Sequence, residues 1–291
     1  MATKNVISAS SIRFTTTRRL HSLWRVPFHN PPINLIDPVM IVELHHLLTD
    51  IEQDKRVAVV VFDSADPDFF LAHYDIAADA SAFDELPAAP TPFHHWANLL
   101  IRLGKSPAVT ITALRGRARG AGSEFALATD IRFASLERAV LGQFEVGFAA
   151  ILGGGPSTRL PRIVGRGRAF EILLGGEDFD GELAERYGYV NRAVPDAEFV
   201  GFVNAFAERV SRFDLLALAD IKRFVNAASL PADDALTAEM DAFAEAVARP
   251  TTPSIIKQAF EQGFQQRSDV ELNLGAYVGK VVHKPGTVTP G

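Results

Sequence analysis

The chain has 291 residues, 47% of them hydrophobic and 22% charged, with a formal net charge of −6. This composition is typical of a globular protein with a sizeable core, and its acidic balance offers no broad basic surface for a nucleic acid. No cysteine is present, which excludes disulfides, thiolate metal sites and a cysteine nucleophile. No apolar run approaches the ~20 residues of a membrane-spanning helix. We therefore expect neither nucleic acid nor membrane as a partner.

The first 36 residues contain basic side chains but no acidic one, and they allow two interpretations. In composition they resemble a mitochondrial transit peptide. Alternatively, Ser11–Thr17 and Ser22–Phe28 are the first strands of the fold, and the apolar–polar alternation that begins at Ile12 favours strands. We therefore predict a cytoplasmic protein, with a mitochondrial location as the alternative.

Strand and helix patterns then alternate up to about residue 195. Asp37 and Pro38 are typical of an N-cap and a first helical residue, so they open a helix. An irregular stretch rich in Ala and Pro spans 77–95. The other elements of this part are a helix over His94–Gly104 and strands over Val57–Phe62, Val109–Leu114, Asp130–Ala134 and Ala139–Leu141. This order predicts an α/β core.

After Pro195 the pattern becomes helical only. Apolar residues recur at helical spacing on four segments, Phe199–Val210, Leu218–Val225, Leu236–Val247 and Ile256–Phe264. So many apolar stripes outside the core predict a helical appendage that packs onto the core or onto another subunit.

The most informative stretch is Arg115–Ala128. It follows the strand Val109–Leu114, passes through a glycine-rich turn and starts a helix near Ser123. Such a strand, turn and helix N-terminus aim backbone N–H groups at one point, where they can hold negative charge. Glu124 lies just inside that turn. A carboxyl group beside an anion-holding turn suits proton transfer next to a carbonyl.

Several other motifs are incomplete. Gly104–Ser106 resembles the end of a P-loop, but Leu99 stands where the first glycine should be. Phe125 stands where a dinucleotide fingerprint needs Gly or Ala. The pairs His45–His46 and His94–His95 lack the spacing of a metal motif, so we interpret them as solvated surface and predict no metal site.

Four stretches in this order resemble the crotonase superfamily, the enoyl-CoA hydratase/isomerase family, over about residues 12–280. Asn30–Asn34, ahead of the Asp37 helix, is similar to the family's early segment. Phe70–Ile76 is similar to its F-x-A-G-x-D-L motif, and Arg115–Glu124 to its n-G-x-A-x-G-G-G-x-E motif. Gly142–Leu160 is similar to the longer motif that carries a second glutamate.

The resemblance implies a ClpP-like spiral of repeated ββα units with a helical C-terminal region. It divides the chain into an N-terminal tail (1–11), a spiral core with the active site (12–196) and a helical trimerisation region (197–291). It also implies a homo-trimer or hexamer and an acyl-CoA substrate. Coenzyme A would enter as part of that substrate, with no other cofactor.

The same resemblance implies roles for individual residues. Glu124 and Glu145 fall where hydratases of the family place their catalytic glutamates. The oxyanion hole would be formed by the backbone N–H groups of Tyr74 and Ala121. Substrate or CoA contacts would come from the same motifs, at Pro32, Leu71, Ala72, His73, Asp75, Ile76, Gly120, Phe144 and Gly153.

The chain departs from the family pattern at the site itself. His73 replaces a glycine, and is either an extra acid, base or CoA contact or a local change of shape with its ring turned away. Tyr74 adds a phenol, Ala121 replaces a glycine and Phe144 replaces a proline. The glutamate pair favours enoyl-CoA hydration. Because one fold supports several reactions, isomerisation, thioester hydrolysis and a catalytically silent acyl-CoA-binding protein remain open as alternatives.

Overall fold

The computed structural model describes residues 13–14, 16–20 and 22–281, so the predicted tail at 1–11 lies outside the described residues. The strands are β1 (Thr17–Leu20), β2 (Leu23–Phe28), β3 (Val59–Ser64), β4 (Phe69–Leu71), β5 (Val109–Leu114), β6 (Arg117–Arg119), β7 (Ile131–Ser135), β8 (Val140–Gly142), β9 (Asp178–Asp180) and β10 (Arg192–Val194). The helices are α1 (Pro38–Gln53), α2 (His94–Gly104), α3 (Ala121–Ala128), α4 (Pro156–Val164), α5 (Arg166–Gly175), α6 (Gly181–Tyr187), α7 (Asp196–Val210), α8 (Leu215–Ser229), α9 (Asp233–Val247), α10 (Thr251–Glu261), α11 (Asp269–Leu272) and α12 (Leu274–Val278). Short 3₁₀ turns cover Ala80–Glu85 and Glu145–Phe148.

The strands form two sheets, in the orders β1-β2-β3-β5-β7-β10 and β4-β6-β8-β9. Neighbouring strands are parallel except for β1 with β2 and β8 with β9. Each turn of the chain gives one strand to each sheet, as β3 then β4, β5 then β6, and β7 then β8, and a helix follows each pair. This winding is a spiral of ββα units followed by a helical region, so the predicted fold class is confirmed.

Most predicted elements lie within a few residues of their expected positions. Asp37 caps α1, because its Oδ1 accepts a hydrogen bond from the Met40 amide at 2.8 Å. The predicted strand Val57–Phe62 is β3, two residues further along. The first predicted strand is wrong in position: β1 begins at Thr17, and of the earlier described residues Phe14 makes only an isolated bridge to Phe28.

A cluster of aromatic rings fills the space between the two sheets. Phe125 of α3 meets Phe28 edge to face at 5.4 Å and Phe62 at 5.0 Å between ring centroids. Such edge-to-face pairs add about 0.5–1.5 kcal/mol beyond the area that they bury. Phe125, the residue that is incompatible with a dinucleotide motif, therefore anchors α3 in the core.

The helices after α6 cover the core in different ways. The apolar face of α7 packs on the first sheet through Phe199 and Val203, and α9 lies against α2 and α4. By contrast, α8 buries none of its residues and leaves Phe224 and Ile221 exposed. None of the helices in the described ranges combines the length and the apolar character needed to cross a membrane.

The interpretation of the histidine pairs as solvated surface is wrong for His45, His94 and His95, which are buried. Helices α1 and α2 pack against each other, and His45 Nε2 lies 3.0 Å from the His95 carbonyl oxygen. Arg102 Nη1 lies 3.0 Å from His45 Nδ1. Adjacent histidines do not reveal such burial, because it depends on which faces of two distant helices meet.

The close approach of α3 to β4 should make Gly122 irreplaceable. A Cβ at Gly122 would lie 1.9 Å from the Leu71 carbonyl oxygen. We expect Gly122→Ala to lower the free energy of unfolding by ~1–3 kcal/mol or more, as overpacked cores do. Chemical denaturation of the purified variant measures this change.

Gly167→Ala is the matched control. Gly167 is an exposed glycine of α5, and a Cβ there would meet nothing within 4 Å. Because Ala favours the helix over Gly by about 1 kcal/mol at most, this variant should be as stable as the wild type or slightly more so. Equal stabilities for the two variants would contradict the steric argument.

Candidate active site

One cavity lies where the start of α3 faces α2, α9 and α10. Its walls are mostly apolar, and they include rings from Phe93, Trp96, Phe148, Phe243 and Phe264. The cavity brings together eight of the residues implicated by the sequence motifs: His73, Tyr74, Ile76, Ala121, Glu124, Phe144, Glu145 and Gly153. It is therefore the candidate active site.

Local backbone geometry places Glu124 in this cavity. The chain leaves β6, turns at Gly120 with φ of +47°, and enters α3 at Ala121. A positive φ of this kind favours glycine, because it has no Cβ. Glu124 then lies in the first helical turn, where the helix dipole stabilises negative charge.

Glu124 is surrounded by hydrogen-bond donors. Its Oε1 accepts from the amides of Gly154 (2.8 Å) and Gly153 (3.3 Å), and its Oε2 accepts from Trp96 Nε1 (2.7 Å). A Cβ at Gly154 would lie 2.1 Å from Oε2, so glycine is required for this approach. Burial raises the pKa of Glu124, and the hydrogen bonds from Gly154, Trp96 and Gly153 oppose that rise. Donors on both oxygens favour the carboxylate form.

Glu145 has the opposite surroundings. It begins the 3₁₀ turn after β8, and its Oε1 faces Gly120, where a Cβ would come within 2.5 Å. The residue is half-buried, but its Oε2 is fully buried and has no hydrogen-bond partner among the described residues. Burial, and then the nearby charge of Glu124, raise the pKa of Glu145 well above its ordinary value.

The surroundings therefore favour a proton on Glu145 more than on Glu124. The pKa of Glu124 is raised, but its donors limit the rise, whereas burial and repulsion by Glu124 raise the pKa of Glu145 well above its ordinary value. Such a separation of pKa values lets two chemically identical side chains act as base and acid at one pH.

Two backbone N–H groups lie beside this pair. The loop after β4 is held by Ile36, whose amide donates to the His73 carbonyl and whose carbonyl accepts from the Asp75 amide, each at 2.9 Å. Tyr74 is the residue between the two that bond to Ile36, and Ala121 is the first residue of α3. No hydrogen bond joins either amide to an acceptor in the described part of the chain. Both amides are therefore available to a ligand, and the Ala121 amide has the position at a helix N-terminus where anions commonly bind.

Five of the residues expected to contact substrate lie outside the cavity wall. Leu71 and Ala72 are buried in the core, and Gly120 lies behind Glu145. Pro32 is exposed, and its carbonyl accepts from Arg267 Nε at 3.2 Å. Asp75 accepts from the Ala77 amide at 3.0 Å.

Two polar groups near Glu124, the second of them outside the cavity wall, could not be identified from motifs. Trp96 lies on the predicted helix His94–Gly104, but nothing local indicates that its indole reaches Glu124. Glu239 of α9 accepts from the Ser157 amide at 3.0 Å. Burial raises the pKa of Glu239 to about 7, and the charge of Glu124 adds to the rise. Both residues come from helices far from Glu124 in the sequence, so only the fold brings them near.

Comparison with known proteins identifies the same family throughout. The family model for enoyl-CoA hydratase/isomerase matches residues 18–261. The chain is 28% identical to the short-chain-enoyl-CoA hydratase of Clostridium acetobutylicum, over 81% of this chain and 91% of the relative. It is 33% identical to the mitochondrial enoyl-CoA hydratase domain-containing protein 2 of Mus musculus, over 57% of this chain and 55% of the relative. The crystal structure of a provisionally named enoyl-CoA hydratase from Streptomyces avermitilis is similar with a TM-score of 0.89 and 43% identity, covering 96% of this chain and all (100%) of the other.

The raised pKa of Glu145 predicts a pH-dependent effect on stability. The folded state keeps a proton on Glu145 at pH values where the unfolded chain, with an ordinary glutamate pKa of ~4.3, has released it. Glu145 therefore lowers the free energy of unfolding as the pH rises from the unfolded pKa toward the folded pKa of this group. We expect Glu145→Gln to have a higher Tm than the wild type, with a difference that grows as the pH rises above about 5.

Thermal unfolding at a series of pH values measures this difference. Glu261→Gln, which removes a carboxylate from an exposed site on α10, is the control. A Tm difference between Glu145→Gln and wild type that does not change with pH would contradict the assignment of a proton to Glu145.

Proposed function

The chain belongs to the enoyl-CoA hydratase/isomerase family, and on that premise we propose that it adds water to the double bond of a 2-enoyl-CoA thioester. The observation that carries the proposal is the pair Glu124 and Glu145, which face one apolar cavity in opposite hydrogen-bond environments. Coenzyme A is part of the substrate, and the proposal requires no other cofactor.

The two available amides suit a thioester carbonyl. In the proposed complex the carbonyl oxygen accepts hydrogen bonds from the Tyr74 and Ala121 N–H groups. The acyl chain then extends along the apolar wall formed by residues such as Phe243 and Met240. Negative charge that develops on the oxygen is stabilised where water is largely excluded, and one such donor is worth about 2.7–4 kcal/mol in the transition state.

The glutamates divide the proton transfers. Glu124, as the carboxylate, accepts a proton from water while the water oxygen bonds to Cβ and the π electrons move to the thioester oxygen. Glu145, as the acid, gives its proton to Cα when the enolate collapses to the thioester. Transfer of the new proton from Glu124 to Glu145 restores both groups. The sum is the addition of H and OH across the double bond.

We further propose that the chain assembles as a trimer or as a hexamer of paired trimers. The support is α8, which buries no residue in the single chain and exposes Ile221 (64%), Phe224 (65%) and Leu216 (76%). An apolar face of this kind is more typical of a subunit interface than of a solvated surface.

The hydration proposal predicts that Glu124→Gln and Glu145→Gln each lower kcat by about 10²–10⁴-fold, the usual contribution of a general acid or base. Loss of enoyl absorbance in a panel of 2-enoyl-CoA thioesters measures the rate. Calorimetry with the saturated acyl-CoA checks that the thioester still binds, and so that each variant is folded.

Other outcomes separate the alternatives. If only one of the two variants loses activity, the reaction is isomerisation or thioester hydrolysis, which one glutamate can support. If the wild type binds acyl-CoA but turns over none of the thioesters, the chain is a catalytically silent binding protein. Full hydration activity in either variant would refute the proposed pair.

The assembly proposal predicts a mass of three or six times the 31.6 kDa chain by light scattering. Phe224→Glu combined with Ile221→Glu should lower that mass, because both charges would be buried in the interface. Leu174→Glu, at an equally exposed apolar residue (66%) on α5, is the control. A monomeric wild type would refute the proposal.

A further inference from the structure

His73 precedes Tyr74 on the loop after β4, and its side chain is buried against the C-terminal segment. Its exposed fraction is 2%, and its ring stacks on Phe264 with 4.7 Å between centroids and 3° between planes. Its Nε2 lies 2.9 Å from Glu271 Oε1, and its Nδ1 lies 3.1 Å from the Tyr74 carbonyl oxygen. Both ring nitrogens are therefore engaged with protein groups and not with the open space of the cavity.

Both partners of His73 are hydrogen-bond acceptors. The Tyr74 carbonyl can only accept, and Glu271 Oε1 also accepts from the Gln265 amide at 2.7 Å. Burial raises the pKa of Glu271, but its interactions with His73 and the bond from Gln265 lower it overall. The buried Glu271 carboxyl group therefore joins His73 to Gln265.

The Tyr74 carbonyl receives a second donor from the same segment. Gln265 Nε2 donates to it at 2.9 Å. The peptide on the other side of Tyr74 is held by Ile36, whose amide donates to the His73 carbonyl. Because each peptide is planar and trans, these contacts on both sides direct the Tyr74 N–H away from Ile36.

The C-terminal segment also holds the strand that leads to Ala121. Arg119 of β6 donates from Nη1 to the Glu271 carbonyl at 2.7 Å, and its Nε donates to Asp178 at 2.6 Å. Arg117 Nε donates to the Leu272 carbonyl at 2.9 Å. Gly120 and Ala121 follow directly, so the same few residues contact both segments that present an amide to the cavity.

We propose that residues 264–272 form a clamp that sets the distance and angle between the Tyr74 and Ala121 amides, with His73 and Glu271 as positioning residues. The inference rests on the proposed function, since it takes these two amides as the oxyanion hole. None of the clamp residues needs to touch the reacting atoms. Their effect is on the placement of the donors, and a displacement of about 1 Å in such a group can cost 10²-fold in rate.

Glu271→Ala tests the clamp, because it removes the acceptor for both His73 and the Gln265 amide. We expect kcat to fall by about 30–100-fold, while KM and the Kd of the saturated acyl-CoA change by less than ~3-fold, since the ground-state thioester depends little on the donors. Glu271→Gln keeps an acceptor for the Gln265 amide and can donate to a neutral His73, so it should recover kcat to within about fivefold of wild type.

Gln258→Ala is the matched control, since Gln258 is an exposed glutamine on α10 and lies outside the clamp. If Glu271→Ala does not fold, Gln265→Ala replaces it, because it removes one donor to Tyr74 and leaves the contact between His73 and Glu271. That variant should lower kcat by ~10-fold. Wild-type kcat in a folded Glu271→Ala or Gln265→Ala protein, or equal losses in Glu271→Ala and Glu271→Gln, would overturn the clamp.

A second measurement separates the clamp from the hydration chemistry. A 3-oxoacyl-CoA forms an enolate whose near-ultraviolet absorbance reports charge held by the two amides. Wild type should raise the enolate fraction on binding, and Glu271→Ala should lose most of that increase. Enolate formation in the wild type that Glu271→Ala loses, without any hydration by either protein, would refute the hydratase proposal and support the clamp. A wild type that stabilises no enolate would overturn the clamp and its oxyanion hole together.

Discussion

Two carboxyl groups cannot both be ionised in one apolar cavity without a large cost in desolvation and repulsion, and this constraint organises the site. The protein meets it by giving Glu124 three donors: two amides of the Gly153–Gly154 turn and the indole of Trp96. Glu145 receives none on its buried oxygen. The glycines at 120 and 154 are required because each carboxyl group lies where a Cβ would be. In the proposed mechanism, the base and the acid are thus distinguished by backbone placement, and not by the side chains themselves.

The parts of the molecule that are local in sequence could be predicted. The cap at Asp37, the buried strand Val109–Leu114 and the turn before Glu124 are recognised by short patterns with direct physical causes. The family resemblance, carried by motifs in order, extended these patterns to a spiral of ββα units. Contacts between distant segments could not be predicted, because no pattern records which faces meet. Trp96 reaching Glu124, and the burial of His45 and His95 between α1 and α2, are of this kind.

The departures from the family pattern have physical explanations in the fold. Ala121 needs no positive φ, since that conformation falls on Gly120, so a Cβ at the first helical position is tolerated. Phe144 packs edge to face on His73 at 5.3 Å and on Phe264 at 6.2 Å between centroids. The histidine in place of glycine and the phenylalanine in place of proline therefore belong to one aromatic contact with the C-terminal segment. Substitutions that look unrelated in the motifs compensate each other in space.

The contact of His73 and Phe144 with the C-terminal segment extends the candidate active site beyond the spiral core. Within the spiral core, backbone hydrogen bonds attach the loop after β4 to Asn34, Ile36 and Arg119. His73 and Gln265 attach the same loop to the C-terminal segment, and the Arg119 side chain attaches that segment to β6. The buried contact between His73 and Glu271 costs desolvation energy that an apolar pair would not, which suits a contact that fixes geometry more than one that adds stability. In the proposed clamp, the segments that carry the two amides are held by residues that lie 152 to 198 positions away in the sequence. The C-terminal segment then belongs to the candidate site and does not merely cover it.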